Sequence, residues 1–273
     1  MERKRVTAMY FSATGTTERI ALAIAKKVGE DLGLPVEKFD FTLPNVRAVK
    51  KAFGPEDIVI FGAPVIAGRV PNVLLKYLGT LAGNGALCVP LVLYGNRNYD
   101  DALIELRDIL AQGGFKPVAA AAFIGEHSFS DILGKGRPDG KDLDVACDFA
   151  AGVAKKISGA DFDEDKLVAV RGETPIRPYY QPRDSKGNPI DIRKVTPKTN
   201  GKCVNCKLCA IVCPMGSIKY EYVGELQGIC MKCCACVKKC PVGAKYFDDP
   251  NFLYHKEELE LQYARRAEPE TFL

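Results

Sequence analysis

Eight cysteines and their spacing set the first constraint on this chain. Residues 203–214 read C-V-N-C-K-L-C-A-I-V-C-P, and residues 230–241 read C-M-K-C-C-A-C-V-K-K-C-P. Both fit C-x2-C-x2-C-x3-C-P, and each ligand position of the second run falls 27 residues after its counterpart in the first. Thiolates at this spacing, closed by proline, are the ligand pattern of [4Fe–4S] clusters. A structural zinc site takes four ligands, typically as two well-separated C-x2–4-C pairs, and the repeated run does not fit it. The sequence therefore predicts two clusters on Cys203, Cys206, Cys209, Cys213, Cys230, Cys233, Cys236 and Cys240. Cys234, the ninth cysteine of the stretch, reads as a small packing residue beside a ligand. Cys88 and Cys147 read as inert core residues.

At 273 residues the chain has room for two compact domains, or for one large domain with an appendage. A hydrophobic share of 47% and a charged share of 26% are ordinary for a soluble globular protein. The first five residues run straight into a strand-like segment, so no signal peptide is expected. The longest apolar run, residues 118–124, is far too short to cross a bilayer. Eleven cysteines without a secretory signal point to ligation in a reducing cytosol and against disulfides. The formal net charge of +4 counts those cysteines as neutral. Each oxidised cluster on four thiolates carries roughly −2, so two bring the sum to about 0, and one bound phosphate ester to roughly −2. Neither a nucleic-acid nor a membrane partner is expected.

The elements that precede the cysteine runs alternate regularly. Residues 6–11, 36–41, 57–62, 87–94 and 118–124 read as strands, and residues 18–29, 45–53, 71–81, 99–112 and 143–157 as helices. Five strands alternating with helices predict an α/β domain with a doubly wound parallel sheet covered on both faces. In such folds ligands bind beyond the carboxyl ends of the strands. The loop after the first strand, Ser12, Ala13, Thr14, Gly15, Thr16 and Thr17, offers hydroxyls and successive backbone N–H groups at a helix start, which suits a phosphate. It is neither a Walker A loop nor G-x-G-x-x-G, and it carries no lysine. An ordinary Ser/Thr helix cap is the plainer alternative for any one of these residues.

Residues 1–158 resemble a flavodoxin. Ser12, Thr14, Gly15 and Thr17 match that family's phosphate loop, Ser/Thr-x-Thr-Gly-x-Thr, at the end of the first strand. The resemblance implies FMN, with its ring between the loops that leave strands three and four. Here those loops carry Pro64, Val65, Ile66, Gly68 and Arg69, and Tyr94, Gly95, Asn96, Arg97, Asn98, Tyr99 and Asp100. By this resemblance Tyr99 stacks on the flavin. The chain has no tryptophan, so Val65 and Ile66 are expected where flavodoxins often place one. Arg69 and Arg97 are either solvated loop charges or partners for a reduced anionic flavin. His127, in the loop after the fifth strand, is a candidate proton donor, though a plain loop histidine is the simpler reading.

Residues 159–200 read as a proline-rich connector in which Tyr179 and Tyr180 pack against a neighbour. Asp161, Asp163 and Asp165 mimic a calcium loop, but Lys166 and Gly172 stand where that loop needs glycine and a carboxylate. Residues 201–250 resemble a bacterial-type two-cluster ferredoxin, a small α+β domain in which the fourth cysteine of each run serves the other cluster. The resemblance implies one cluster on Cys203, Cys206, Cys209 and Cys240 and a second on Cys213, Cys230, Cys233 and Cys236. Residues 251–273 are expected as a charged helix and tail. As a whole the chain is similar to the flavodoxin–ferredoxin fusion proteins of anaerobic prokaryotes. That resemblance implies an electron carrier relaying between two [4Fe–4S] clusters and FMN, with ferredoxin-type donors or acceptors. A flavoenzyme that reduces a small molecule, with Tyr99 or His127 as proton donor, and a sensor with structural clusters are the alternatives.

Overall fold

Near-continuous apolar runs need a sheet covered on both faces, and the computed structural model, which describes residues 2–273, builds one. Its central strands are β1 (Arg5–Tyr10), β2 (Val36–Asp40), β3 (Asp57–Pro64) and β4 (Leu87–Tyr94). The expected fifth strand is split into β5 (Lys116–Pro117) and β6 (Ala120–Ile124), both paired with β4. Lys116 and Val118, on either side of Pro117, both still donate along β4, to the carbonyls of Ala86 and Cys88, so the break falls after Val118. These strands are all parallel, in the order β2-β1-β3-β4-β6. Every residue of β4 is buried, as a strand between two helical layers must be.

Four helices supply those layers. On one face α1 (Thr16–Leu32) and α4 (Gly140–Ser158) bury Ile20, Ile24, Val28, Phe149 and Val153 against the sheet. On the other, α2 (Asn72–Leu78) and α3 (Ala102–Gln112) bury Leu74, Leu78, Leu103 and Leu106 with Phe41, Phe61 and Tyr77. This is the flavodoxin-like doubly wound order, and the chain reverses direction across the sheet between β1 and β3. The carboxyl ends of those two strands frame the crevice where ligands bind in such sheets. The helix expected over 45–53 shrinks to a 3-10 turn, Val46–Ala48, because the segment has no continuous apolar stripe to bury.

After a largely irregular connector, the cysteine segment folds as a near-repeat. Helix α5 (Leu208–Ile211) and helix α6 (Ala235–Lys238) occupy equivalent places in the two runs. A two-stranded antiparallel ribbon, β7 (Lys198–Thr199) with β8 (Lys245–Tyr246), ties the ends of the segment together. Helix α7 (Pro250–Gln262) follows, capped by Asp249, whose carboxylate accepts from the Phe252 N–H at 3.0 Å.

The tail departs from expectation. Residues 270–272 form β9 (Glu270–Phe272), which adds antiparallel to β6 as a further strand of the N-terminal sheet. The chain thus returns to the domain it left. Buried Arg137 holds this return: it pairs with buried Asp142 and donates to the Ala267 carbonyl at 3.1 Å, while Arg266 reaches Asp139 at 2.6 Å. Removing one partner of a buried pair leaves the other charge uncompensated. Arg137→Met is therefore expected to lower the unfolding free energy by about 3 kcal/mol. The measurement is a urea midpoint that falls at unchanged slope.

Candidate cofactor sites

Non-glycine residues at positive φ are uncommon, yet each cysteine run has two. Asn205 and Lys207 (φ 54° and 65°) recur 27 residues on as Lys232 and Cys234 (φ 58° and 57°). These left-handed residues curl each C-x2-C-x2-C loop so that its three thiols converge. The fourth cysteine of each run leaves its short helix toward the other loop. Two hollows result. One, about 320 Å³ including the space at its mouth, is lined by Cys203, Cys206, Cys209 and Cys240. Its twin, about 380 Å³ on the same measure, is lined by Cys213, Cys230, Cys233 and Cys236, with Cys234 beside them.

The donor chemistry fits an iron–sulfur cluster. All eleven cysteines are free thiols. Four thiols line each hollow and surround a volume. Backbone N–H groups are aimed at sulfur: Asn205 at Cys203 (3.4 Å), Ser217 at Cys213 (3.3 Å) and Ala244 at Cys240 (3.2 Å). Burial pushes the Cys233 and Cys236 thiols up to about 12, so a cationic core is what makes thiolates of them. At Cys240 burial acts in the same direction, but the N–H groups of Ala244, Val242, Lys245 and Gly243 outweigh it and lower the thiol.

The turn after β1 has the chemistry of an anion cradle. Gly15, at φ 94°, bends the chain into α1. The Ser12 hydroxyl accepts from the Glu18 N–H at 3.0 Å, and the Ser12 N–H donates to the Thr42 hydroxyl at 2.8 Å. Thr17 is buried beneath Gly62, where a Cβ would lie 2.8 Å from its methyl group. The backbone N–H groups of Ala13, Thr14, Gly15, Thr16 and Thr17 donate to no acceptor among the described residues. Five free N–H groups at the positive end of a 17-residue helix fit a phosphate ester.

The two neighbouring loops are arranged differently from expectation. Tyr99 is 2% exposed, and its hydroxyl donates to the Glu270 carboxylate of β9 at 2.8 Å, with Tyr94 packed 5.6 Å away. The ring is enclosed and presents no open face at this end of the sheet. The tail supplies the reason, since it gives the tyrosine both cover and a carboxylate. Arg69 is engaged by Glu105 (2.8 and 2.7 Å) and lies 4.8 Å from the Tyr179 ring, while Arg97 pairs with Asp100 and lies 4.4 Å from the Tyr180 ring. Neither guanidinium is free to pair with an anionic ring. Asn96 is buried and pins the tail, donating to the Tyr263 and Arg265 carbonyls (2.7 and 2.6 Å) and accepting from the Ala267 N–H (3.1 Å). The Asn98 side chain closes its own turn by accepting from the Asp100 N–H at 2.9 Å. Tyr94 is buried, and Gly68 (φ 74°) turns the first loop tightly against Asp100. Of the residues not so engaged, Pro64, Val65, Ile66 and Gly95 are half-buried and apolar, with the His127 ring against Gly95.

The cysteine segment is seated at this same end of the sheet. Met231, between Cys230 and Cys233, packs against the N-terminal apolar cluster, as do Ala13 and Val65. Arg47 donates to the Phe41 carbonyl at 2.8 Å, to the Thr42 carbonyl at 2.5 Å, and across to the carbonyl of Pro214. Lys238, on α6, sits between Glu126 and Asp131, at 2.8 Å from each, and also donates to the Ser130 carbonyl. Arg47, Thr42, Met231 and Glu126 were not legible as site residues, since each carries an ordinary side chain in an unremarked loop. Lys238 had a signal in its place between two ligands.

Residues 197–219 match the family described as 4Fe-4S binding domain. That segment carries an iron–sulfur binding domain. The match spans the first cysteine run, Cys203 to Cys213. A search of curated proteins finds no match. Similar solved structures include a flavodoxin of Streptococcus pneumonia TIGR4, at 21% identity over 55% of this chain and 98% of that one, with TM-score 0.39. Flavodoxin 2 from Bacillus cereus is 16% identical over 56% of this chain and 99% of its own, with TM-score 0.41. The fold assignment rests on the strand order and register described above. No helix is long and apolar enough to cross a membrane among the described residues.

His127 packs on Gly95, where a Cβ would lie 2.3 Å from its ring, and its Nδ1 accepts from the Phe129 N–H at 3.2 Å. Burial pushes it from 6.5 down to about 4, with repulsion from His255, Lys238 and Arg97 adding to the effect. The unfolded chain takes up a proton below its ordinary value and the folded chain only near 4. The stability held at neutral pH is therefore lost as pH falls through that window. In histidine-labelled protein, the NMR signal that disappears in His127→Asn is expected to stay at its neutral position from about pH 8 to about pH 5.

Proposed function

We propose that this chain is an electron-transfer iron–sulfur flavoprotein, relaying electrons between two [4Fe–4S] clusters and FMN. The observation that carries the reading is the pair of four-thiol hollows, one of them seated beside the anion cradle at the end of the parallel sheet. Bound clusters pass single electrons and a bound flavin one or two, so together they connect one- and two-electron partners. The eight cysteines hold the clusters, and the five N–H groups of residues 13–17 hold the flavin phosphate. Val65, Ile66 and Met231 supply an aliphatic wall in place of the aromatic one, and keep water out. Arg47 and Lys238 fix the two parts against each other, and covalent fusion keeps donor and acceptor at high effective concentration. The setting is the reducing cytosol of an anaerobe, with ferredoxin-type proteins as partners. The small-molecule reductase reading is weaker, because Tyr99, one of its two candidate proton donors, is buried beneath Glu270.

Anaerobic reconstitution is expected to yield about eight iron, about eight sulfide and one FMN per chain. Iron near half that level, or no retained flavin, overturns the reading. Gly15→Val, which forces a branched side chain at φ 94°, is expected to lose the flavin while iron content holds. Cys234→Ser is expected to keep both clusters, whereas Cys236→Ala loses one.

A further inference from the structure

The two hollows differ in the residues that surround them. Cys206 is the one exposed ligand of the eight, while those around the second hollow are half-buried or buried. Val204 and Val242 line the first hollow at 64% and 37% exposure, and Tyr220 and Tyr222, at 53% and 68%, lie just before Val223, which is on its wall. Lys207 links the two groups, with its ammonium 5.6 Å from the Tyr220 ring and donating to the Glu221 carbonyl at 2.9 Å. An exposed apolar patch thus surrounds one cluster hollow. The second hollow carries one such residue, Ile229 at 68% exposure, and on its Met231 side packs against the N-terminal domain.

Charge is distributed just as unevenly. Residues 201–246 contain seven lysines against two glutamates, with no aspartate or arginine. Lys238 is committed to Glu126 and Asp131, Lys245 is buried on Thr199 and Val223, and Lys232 donates to the Arg193 and Cys230 carbonyls. Lys219 is paired with Glu225. Lys202 and Lys239 make no such bond among the described residues, and Lys207 is held by one carbonyl with no carboxylate partner. The three stand beside first-hollow ligands, Lys202 beside Cys203, Lys207 beside Cys206 and Lys239 beside Cys240. An anionic cluster alone would repel an acidic protein, and this collar reverses the local sign.

Resting on the electron-carrier reading above, we propose that the first hollow is the port for electrons between molecules. Its partner is a small acidic one-electron carrier of ferredoxin type, docked on Val204, Val242, Tyr220 and Tyr222 inside the lysine collar. In the step, one electron leaves the partner's reduced cluster, which is oxidised by one. The cluster that Cys203, Cys206, Cys209 and Cys240 would hold would accept it and be reduced by one, with no bond or proton transferred. Complementary charge of this kind acts mainly on the encounter rate and is screened by salt.

The test uses holoprotein with measured iron and flavin, mixed in a stopped-flow instrument with an acidic two-[4Fe–4S] ferredoxin reduced beforehand. The second-order rate is expected to fall steeply with ionic strength. Lys202→Glu/Lys207→Glu/Lys239→Glu is expected to slow it about 10- to 100-fold at low salt and flatten the salt dependence. The final extent of reduction of the same variant by excess dithionite should be unchanged, as should the ferredoxin rate for Lys141→Glu on α4. Lys202→Glu and Val204→Asp, which leave Lys207 and Lys239 in place, are companions should the triple variant lose a cluster. Each is expected to slow the ferredoxin reaction at full iron content. The proposal is overturned if reversal leaves rate and salt slope unchanged in cluster-replete protein. It is equally overturned if the acidic ferredoxin transfers nothing while dithionite reduces every centre, or if sedimentation shows the patch buried between two copies of the chain. Missing clusters or flavin in the wild type would instead defeat the functional reading itself.

Discussion

The exchange of one cysteine between two short loops is the constraint on which the C-terminal half depends. The apolar cluster of that segment consists of Ile218, Val223 and Cys236, with Cys203, Cys209, Cys213, Ala210 and Val237 packed against it. Half of that cluster is ligands. A core so small cannot offset the conformational entropy of ordering the loops around it. Sulfur–iron bonds must supply the difference, which makes metal binding a folding term for this segment. Because Cys213 lines the hollow of the second run and Cys240 that of the first, neither half can be built without the other.

That unit is not an appendage to the parallel sheet. Lys238 lies within the second cysteine run, yet its ammonium is neutralised by two carboxylates from the loop after β6. Arg47 makes the reciprocal contact to Pro214, beside Cys213. On the far side of the cysteine segment the chain turns back and contributes β9 to the sheet it started from. The connector is tied down as well: Arg177 pairs with buried Asp101, and the Tyr179 hydroxyl donates to the Val70 carbonyl at 2.8 Å. Electron transfer benefits from such fixing, since it depends on the separation and mutual orientation of the centres more than on motion of the chain.

The parts of this architecture that repeat were the parts legible in the sequence. Hydrophobic patterning located the strands and the main helices, and the 27-residue offset picked out the eight thiols that line the two hollows. The turn of Ser12, Thr14 and Gly15 was legible because its residue types follow from the backbone it must make. Tyr99 was not, because its fate depends on Glu270, 171 residues away, and no local pattern announces that pairing. A three-residue strand such as β9 is similarly silent, with too few positions to show alternation. Tyr179 and Tyr180 signalled that the connector packs, without signalling that they would cover Arg69 and Arg97. The aliphatic wall of Val65 and Met231 was half legible: the missing tryptophan pointed to Val65, whereas Met231 arrives from the other domain.

The central claim is that both sets of four thiols and the anion cradle serve one relay. An anomalous-difference map at the iron edge, from crystals of the anaerobically prepared holoprotein, tests it most directly. The account predicts two compact groups of four irons, one bonded by Cys203, Cys206, Cys209 and Cys240 and the other by Cys213, Cys230, Cys233 and Cys236. It also predicts flavin density with its phosphate on residues 13–17 and its ring on the side of Met231. A single iron group, a mononuclear metal in either hollow, or a flavin bound away from that turn would contradict it.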